Sequence, residues 1–496
     1  MEIKIKEIIL SGLKSVKNGK VEFLSSKKIK KAEINEIGNE FNETLGNKLP
    51  DILGFYGQNG SGKSSIIDAS SILKVLFSGN ELPSKVRDYI NVETKKMIIK
   101  IKFAILINDI LFDVEYEVII EPKNDSDGVF VSKESLSYNK KDNEMLLQSK
   151  MSLNYDYNGT VNNFISPKTR MDSIIGENKD NLIELNVIKN ECYSNSQSFL
   201  FNKKFVPFIK NDDSDFKLIL GWINFYSLFQ MMIINNKDFG QINMDQLLHI
   251  PFAGKNDSII DENNIKDNYF VGDWYIKLFE SGSIKKEYFD PFNRVIEQIN
   301  LVMQSFIPDL QIDCIWNDAL DEKGNEIKKY EFVSVRGDKR FPLRCESDGI
   351  KKLISICCGL ISYYNNSSFF LAIDELDSGI FEYLLGDILE VLKSGKGQFI
   401  FTSHNLHPLE VLSTKNIILT TTDADERYIP FISIHPTNNA RDTYIRYIYM
   451  GDYRKSLYLQ TNTSELSHAL KKAGKIEIKW WKFSYYLLKV KLIKHR

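Results

Sequence analysis

Apolar and charged residues alternate from the start of the chain. Residues 2–10 read Glu-Ile-Lys-Ile-Lys-Glu-Ile-Ile-Leu, a period of two that predicts a half-buried strand. A second strand is expected over 19–24, after a turn at Ser11-Gly12. The Lys- and Asn-rich stretch 25–48 has no such period and predicts an exposed insertion. Apolar residues then run unbroken through Ile52-Leu53-Gly54-Phe55-Tyr56, as in a strand buried on both faces. A helix is expected from Lys63 to about Phe77, where Ser78-Gly79-Asn80 ends it. Residues 96–108 and 110–121 predict an antiparallel hairpin about Asn108-Asp109, and 130–138 another strand.

From 139 to 281 the apolar runs shorten and Asn, Asp and Ser become frequent; the clearest element there is a helix over 216–234. Phe292, Val295, Ile296, Ile299, Val302 and Met303 give helical spacing to 284–306, stopped by Pro308. Strands are expected at 310–315 and 328–335. Helix and strand then alternate to about 433, which is the mark of an α/β core. No heptad repeat persists, so a long coiled coil is excluded.

The bulk numbers narrow the class only a little. A chain of 496 residues suggests about three units. With 43% hydrophobic and 26% charged residues it reads as a globular protein, and a net charge of −2 gives no global case for nucleic acid. The five cysteines show no C-x-x-C spacing, and the adjacent Cys357 and Cys358 lie in an apolar helix-like run, as expected of buried thiols in a reducing cytosol. The first residues lack the apolar core of a signal peptide, so a cytoplasmic location is expected. The nearest approach to a membrane span, 216–234, carries Lys217, Asn224 and Gln230, and a core helix is expected instead.

Residues 57–64, Gly57-Gln58-Asn59-Gly60-Ser61-Gly62-Lys63-Ser64, fit the phosphate-loop pattern G-x-x-x-x-G-K-[ST] between a strand and a helix that continues with Ser65. Backbone N–H groups of such a loop point at a triphosphate, and the helix start adds partial positive charge. Lys63 would reach the β- and γ-phosphates of ATP, and the Ser64 hydroxyl would hold Mg²⁺. Downstream, the apolar strand 368–373 ends in Asp374-Glu375. Asp374 would bind Mg²⁺ through water and Glu375 would polarise an attacking water; the plainer alternative is a buried strand ending in a solvated acidic turn. A second apolar strand ends in Thr402-Ser403-His404, whose histidine could equally be a structural hydrogen-bonder. In Glu346-Ser347-Asp348-Gly349, a Ser hydroxyl and free helix N–H groups offer another anion site, or simply an N-cap.

Taken in this order, the elements resemble those of the ABC-type ATPases, specifically bacterial AAA-type ATPases related to OLD, SMC, RecF and abortive-infection proteins. The similarity covers about 1–138 and 307–435, including the opening Ile8-Ile9-Leu10-Ser11-Gly12-Leu13-Lys14-Ser15. It implies an α/β ATPase head with an antiparallel β lobe and a parallel α/β core. By that resemblance 1–138 is the N-terminal half of the head, 139–306 a partly helical insertion or lid, 307–435 the C-terminal half and 436–496 an extension. The resemblance also implies roles. Ser347 and Gly349 would grip the γ-phosphate of ATP held by a second copy, and Asp377 would contact that copy. His404 would contact the γ-phosphate and help place the water. No glutamine could be placed in the lid-coupling role. The implied protein is an ATP-dependent homodimer or higher oligomer that serves in antiviral defence and controls a separate effector, a toxin or nuclease.

A RecF-like DNA-repair ATPase is the alternative. A P-loop kinase fits less well with Ser347 and His404. Residues 475–496 carry seven Lys or Arg against one Glu, interleaved with Trp480, Trp481, Phe483, Tyr485 and Tyr486, which suits single-stranded nucleic acid, an anionic surface or a packed amphipathic segment. Arg441, Arg446 and Arg454 among Tyr444, Tyr447, Tyr449 and Tyr453 suggest a similar mixed surface. Asp423-Ala424-Asp425-Glu426 has the look of a metal-binding Asp-x-Asp but no partner strand, so a nuclease site there is not expected.

Overall fold

A computed structural model describes residues 2–23, 52–142, 145–178, 180–209, 214–236, 241–243, 275–431, 439–450, 457–458 and 462–474. The predicted insertion 25–48 and the basic tail 475–496 lie outside these residues, as do Tyr453 and Arg454. The chain divides into two compact units, Met1–Leu457 and Tyr458–Arg496.

The first unit opens with a seven-stranded antiparallel sheet in the order β2-β1-β4-β5-β6-β7-β8. Its strands are β1 (Glu2–Leu13), β2 (Val16–Glu22), β4 (Met97–Ile107), β5 (Ile110–Pro122), β6 (Val129–Asp142), β7 (Met145–Thr160) and β8 (Asn163–Ser166). The first turn falls at Lys14-Ser15, later than the Ser11-Gly12 expected, and Lys14 takes a positive φ of 51° to make it. The β4–β5 hairpin turns at Asn108 (φ 47°) and Asp109 (φ 66°), the two positive φ values that short hairpin turns need. β6 and β7 carry this sheet past residue 138.

The second sheet has the order β19-β18-β3-β17-β16-β9. Its members are β3 (Ile52–Tyr56), β9 (Met231–Ile234), β16 (Phe370–Ile373), β17 (Gln398–Thr402), β18 (Ile417–Thr420) and β19 (Tyr428–Pro430). All neighbours run parallel except β18 and β19. The continuous apolar runs of these strands follow from burial on both faces. Leu53, Phe55, Phe370, Ala372 and Ile400 point into one core with helix α1 (Lys63–Phe77) and the antiparallel sheet. Ile52, Tyr56, Leu371, Ile373, Phe399 and Phe401 point into the other.

Helices α2 (Lys168–Ile175), α3 (Asp180–Asn195) and α4 (Ser214–Phe229) join the first core; α5 (Phe289–Phe306), α6 (Asp348–Asn365) and α7 (Glu382–Leu392) join the second. The helix expected over 216–234 stops at Phe229. Met231-Met232-Ile233-Ile234 form β9 instead, paired with β16. Four apolar residues in a row suit a buried strand as well as a helix, and the open edge of β16 decides between them. Likewise α5 starts at Phe289, because 282–285 are drawn into β12 (Gly282–Lys285) of a third sheet, of order β12-β14-β13. That sheet also contains β13 (Gln311–Leu320) and β14 (Glu326–Arg336), with β15 (Lys339–Pro342) on β14, and β10 (Gln241–Asn243) pairs with β11 (Tyr275–Lys277).

After α8 (Pro408–Val411), α9 (Ala440–Met450) buries Tyr444 and Tyr447, and its Arg441 pairs with Glu410 at 2.7 Å. Of the mixed basic–aromatic stretch, Tyr444 and Tyr447 are thus packing residues, whereas Tyr449 is exposed. The turn 423–426 packs on the β hairpin, where the carbonyl of Ala424 accepts from the N–H groups of Lys17 and Asn18. In the second unit, α10 (Thr463–Ala473) is capped by the Asn462 side chain, which accepts from the N–H groups of Ser464 and Glu465. No helix among the described residues is long and apolar enough to cross a membrane.

Candidate nucleotide site

The loop 57–64 leaves β3 and enters α1 at the centre of the parallel sheet. Gly62 precedes the helix at a φ of 90°, a conformation that glycine adopts without strain. Gly57 lies so close to β18 that a Cβ there would meet Thr420 Oγ1 at 2.1 Å. Around the loop, Tyr428 donates to the Gly62 carbonyl at 2.8 Å and Ser15 to the Gly60 carbonyl at 3.3 Å. The Arg427 guanidinium donates to the Ser15 carbonyl at 2.6 Å and thereby ties the hairpin turn to β19.

Lys63 is buried and curls into the loop, donating to the carbonyls of Gly57 (2.8 Å) and Gln58 (3.0 Å). Burial lowers its pKa, against the pull of Asp374, Glu375 and Asp377. An ammonium already ringed by loop carbonyls and facing carboxylates is placed to accept a phosphate.

Two strands away, β16 delivers Asp374. Its Oδ1 accepts from Ser64 at 2.9 Å and from Thr402 at 2.6 Å. A hydroxyl and a carboxylate side by side form a hard oxygen pair of the kind Mg²⁺ takes up together with phosphate oxygens. Among the described residues no group of three or more His, Cys, Asp or Glu side chains could hold a metal by itself.

Glu375 stands at a φ of 48°, in the left-handed region. Its N–H donates to Thr402 Oγ1 at 2.7 Å, its carbonyl accepts from the Lys352 ammonium, and its carboxylate accepts from the Asn236 amide at 2.5 Å. Asp377 accepts from the N–H groups of His404 (3.1 Å) and Asn405 (2.9 Å) through one oxygen, Oδ2. Its other oxygen is buried and finds no hydrogen-bond partner among the described residues. His404 is held below its ordinary pKa by burial and then by Lys63, which favours the neutral imidazole. Burial likewise brings Lys352 down to about 8.

Ser347 caps α6, its Oγ accepting from the Ile350 N–H at 3.4 Å. Gly349 lies directly on Gly379; a Cβ there would meet the Gly379 carbonyl oxygen at 2.0 Å.

The structure thus brings Ser64, Asp374 and Glu375 together, joins His404 to Asp377, and seats Gly349 beside the turn that follows Glu375. Two contributors have no motif of their own in the sequence. Thr402 bonds both Asp374 and Glu375 from the end of the neighbouring strand. Asn236 arrives two residues beyond β9, an element read as the end of a helix. A strand period over 231–234 would have been the signal for it.

A glycine-rich loop between a parallel strand and a helix, with an acidic strand end hydrogen-bonded to its serine, defines a P-loop nucleotide-binding protein. Residues 52–410 match the family described as "AAA domain, putative AbiEii toxin, Type IV TA system", and the chain belongs to that family. No curated protein matches the chain. Among solved structures it is similar to the Smc head domain with an extended coiled coil, bound to the C-terminal domain of ScpA, from Pyrococcus furiosus (14% identity, 86% of this chain and 96% of that one, TM-score 0.36). It is also similar to the SMC head domain from Thermotoga maritima (13%, 87% and 100%, TM-score 0.32). A third likeness is to the recombination mediator protein RecF (10%, 86% and 98%, TM-score 0.34).

Proposed function

We propose that this protein binds ATP with Mg²⁺, hydrolyses it, and dimerises through it. The observation that carries the proposal is the hydrogen bond from Ser64 to Asp374, with Glu375 next in the chain and Lys63 buried in the loop. In this reading Lys63 and the loop N–H groups hold the phosphates, and Ser64 and Asp374 hold the cation, which neutralises charge on the phosphates. Glu375 takes the proton of the attacking water, and neutral His404 helps to orient it. Ser347 and Gly349 complete the site of a second copy, so that turnover releases the dimer.

Lys63→Ala is expected to abolish ATP binding in a fluorescent-nucleotide titration. Glu375→Gln is expected to bind ATP, accumulate a dimer on size exclusion and lose turnover by about 10²–10⁴-fold. Full ATPase activity in Glu375→Gln would refute the assignment.

The biological setting in this reading is bacterial antiviral defence, where ATP-timed association controls a separate toxin or nuclease; the family's description itself names a "putative AbiEii toxin" of a "Type IV TA system". A neighbouring gene for such an effector, and its co-purification with the ATP-bound dimer, are the checks. DNA binding is a second reading, favoured by the basic, aromatic composition of 475–496.

A further inference from the structure

Helix α6 carries, one turn beyond its glycine contact, a lysine that does not reach solvent. Lys352 is 2% exposed, and its ammonium donates to the main-chain carbonyl of Glu375. Asp377, Glu375 and Asp374 are the charges that act on it. Burying an ammonium is costly unless it is paired and hydrogen-bonded. An apolar residue would suit the packing of this helix face, so the position calls for a reason.

Glu375 supplies one. A residue other than glycine enters the left-handed region at a cost, and surrounding contacts must hold it there. Its N–H is bonded to Thr402, and its carbonyl accepts from Lys352 and from the Ser378 N–H (3.0 Å). Thr402 and Ser378 belong to the sheet and to the turn itself. Lys352 alone in this set comes from α6, the helix that begins at Ser347 and touches the same turn again where Gly349 meets Gly379.

We infer that Lys352 is a positioning residue that makes the aim of the Glu375 carboxylate depend on where α6 stands. The inference rests on the proposed hydrolysis. A phosphate gripped at Ser347 would bear on α6, and Lys352 would pass that displacement to the peptide of Glu375. Nucleotide binding at the loop would not need it; turnover would.

The test compares Lys352→Met, an unbranched apolar replacement, and Lys352→Gln, whose amide is too short to reach the carbonyl, with wild type and Glu375→Gln. Both Lys352 variants should bind ATP within about threefold of wild type and dimerise with it. Their kcat should fall about 10–100-fold with KM little changed, the size expected when a reacting group is misplaced by an ångström. Lys352→Arg, which keeps a donor, should recover part of the loss. Wild-type kcat in either Met or Gln variant, or a matching loss of ATP affinity, would overturn the inference. So would failure of both to fold, which would mark Lys352 as merely structural. An inactive wild type, or an active Glu375→Gln, would refute the hydrolytic reading itself and is distinguishable from these.

Discussion

Asn236 reaches the Glu375 carboxylate from a strand end that carries no motif, and its amide sets the rotation of that carboxylate. Asn236→Ala is therefore expected to lower kcat about tenfold or more while ATP affinity stays within about threefold, measured by steady-state phosphate release beside nucleotide titration. Asn236→Asp, which places a like charge beside Glu375, should lower kcat at least as far. Retained turnover in both would show that the 2.5 Å contact has no catalytic part. Lys63, Ser64, Asp374 and Glu375 were legible in the sequence because each belongs to a short pattern with its own chemistry. Asn236 and Thr402 were not. Each acts through neighbours supplied by other strands, and an Asn or a Thr at a strand end has many ordinary uses.

At the scale of elements, α6 lies directly against the turn after Glu375, where Gly349 meets Gly379. Gly349→Ala would force a methyl group to 2.0 Å from the Gly379 carbonyl oxygen, so the helix start or the turn must shift. Overpacking of this kind costs about 1–3 kcal/mol. A lowered urea midpoint is expected, together with loss of the ATP-dependent dimer by light scattering; an unchanged midpoint and dimer would contradict the contact. The α1 helix and the β4–β5 hairpin, which face one core along their whole length, and β3, which is buried on both faces, follow their sequence pattern closely. The misread boundaries, at 216–234 and 284–306, fall where a helix and a strand follow each other after a few residues, Gln230 in one case and Lys286 to Tyr288 in the other. There the choice rests with an unpaired sheet edge, β16 in one case and β14 in the other. Local sequence does not contain that edge.

For the whole molecule, the alternation of helix and strand gave an α/β core, and the resemblance to ABC-type ATPases implied the antiparallel lobe beside it. Neither gave the strand order, which depends on pairings between distant segments. The division at Leu457 leads to a direct expectation. A chain ending there should keep one cooperative thermal transition, within about 2 °C of the full chain, and undiminished ATP binding. A broadened or much lower transition would show that the second unit supports the first. If DNA binding exists and vanishes in the same truncation, the second functional reading gains support. The sheet order has one more consequence, for biosynthesis. The phosphate-loop strand β3 lies between β17 and β18, and the Ile3 N–H bonds Ser368 across 365 residues of chain. At a synthesis rate of about 5–20 residues per second, the loop leaves the ribosome roughly 20–70 s before its last parallel neighbour exists. The nascent chain thus carries its phosphate loop through more than 350 further residues of synthesis without the walls that give it shape, and becomes able to hold a nucleotide in its native site only once Ile417–Thr420 has emerged.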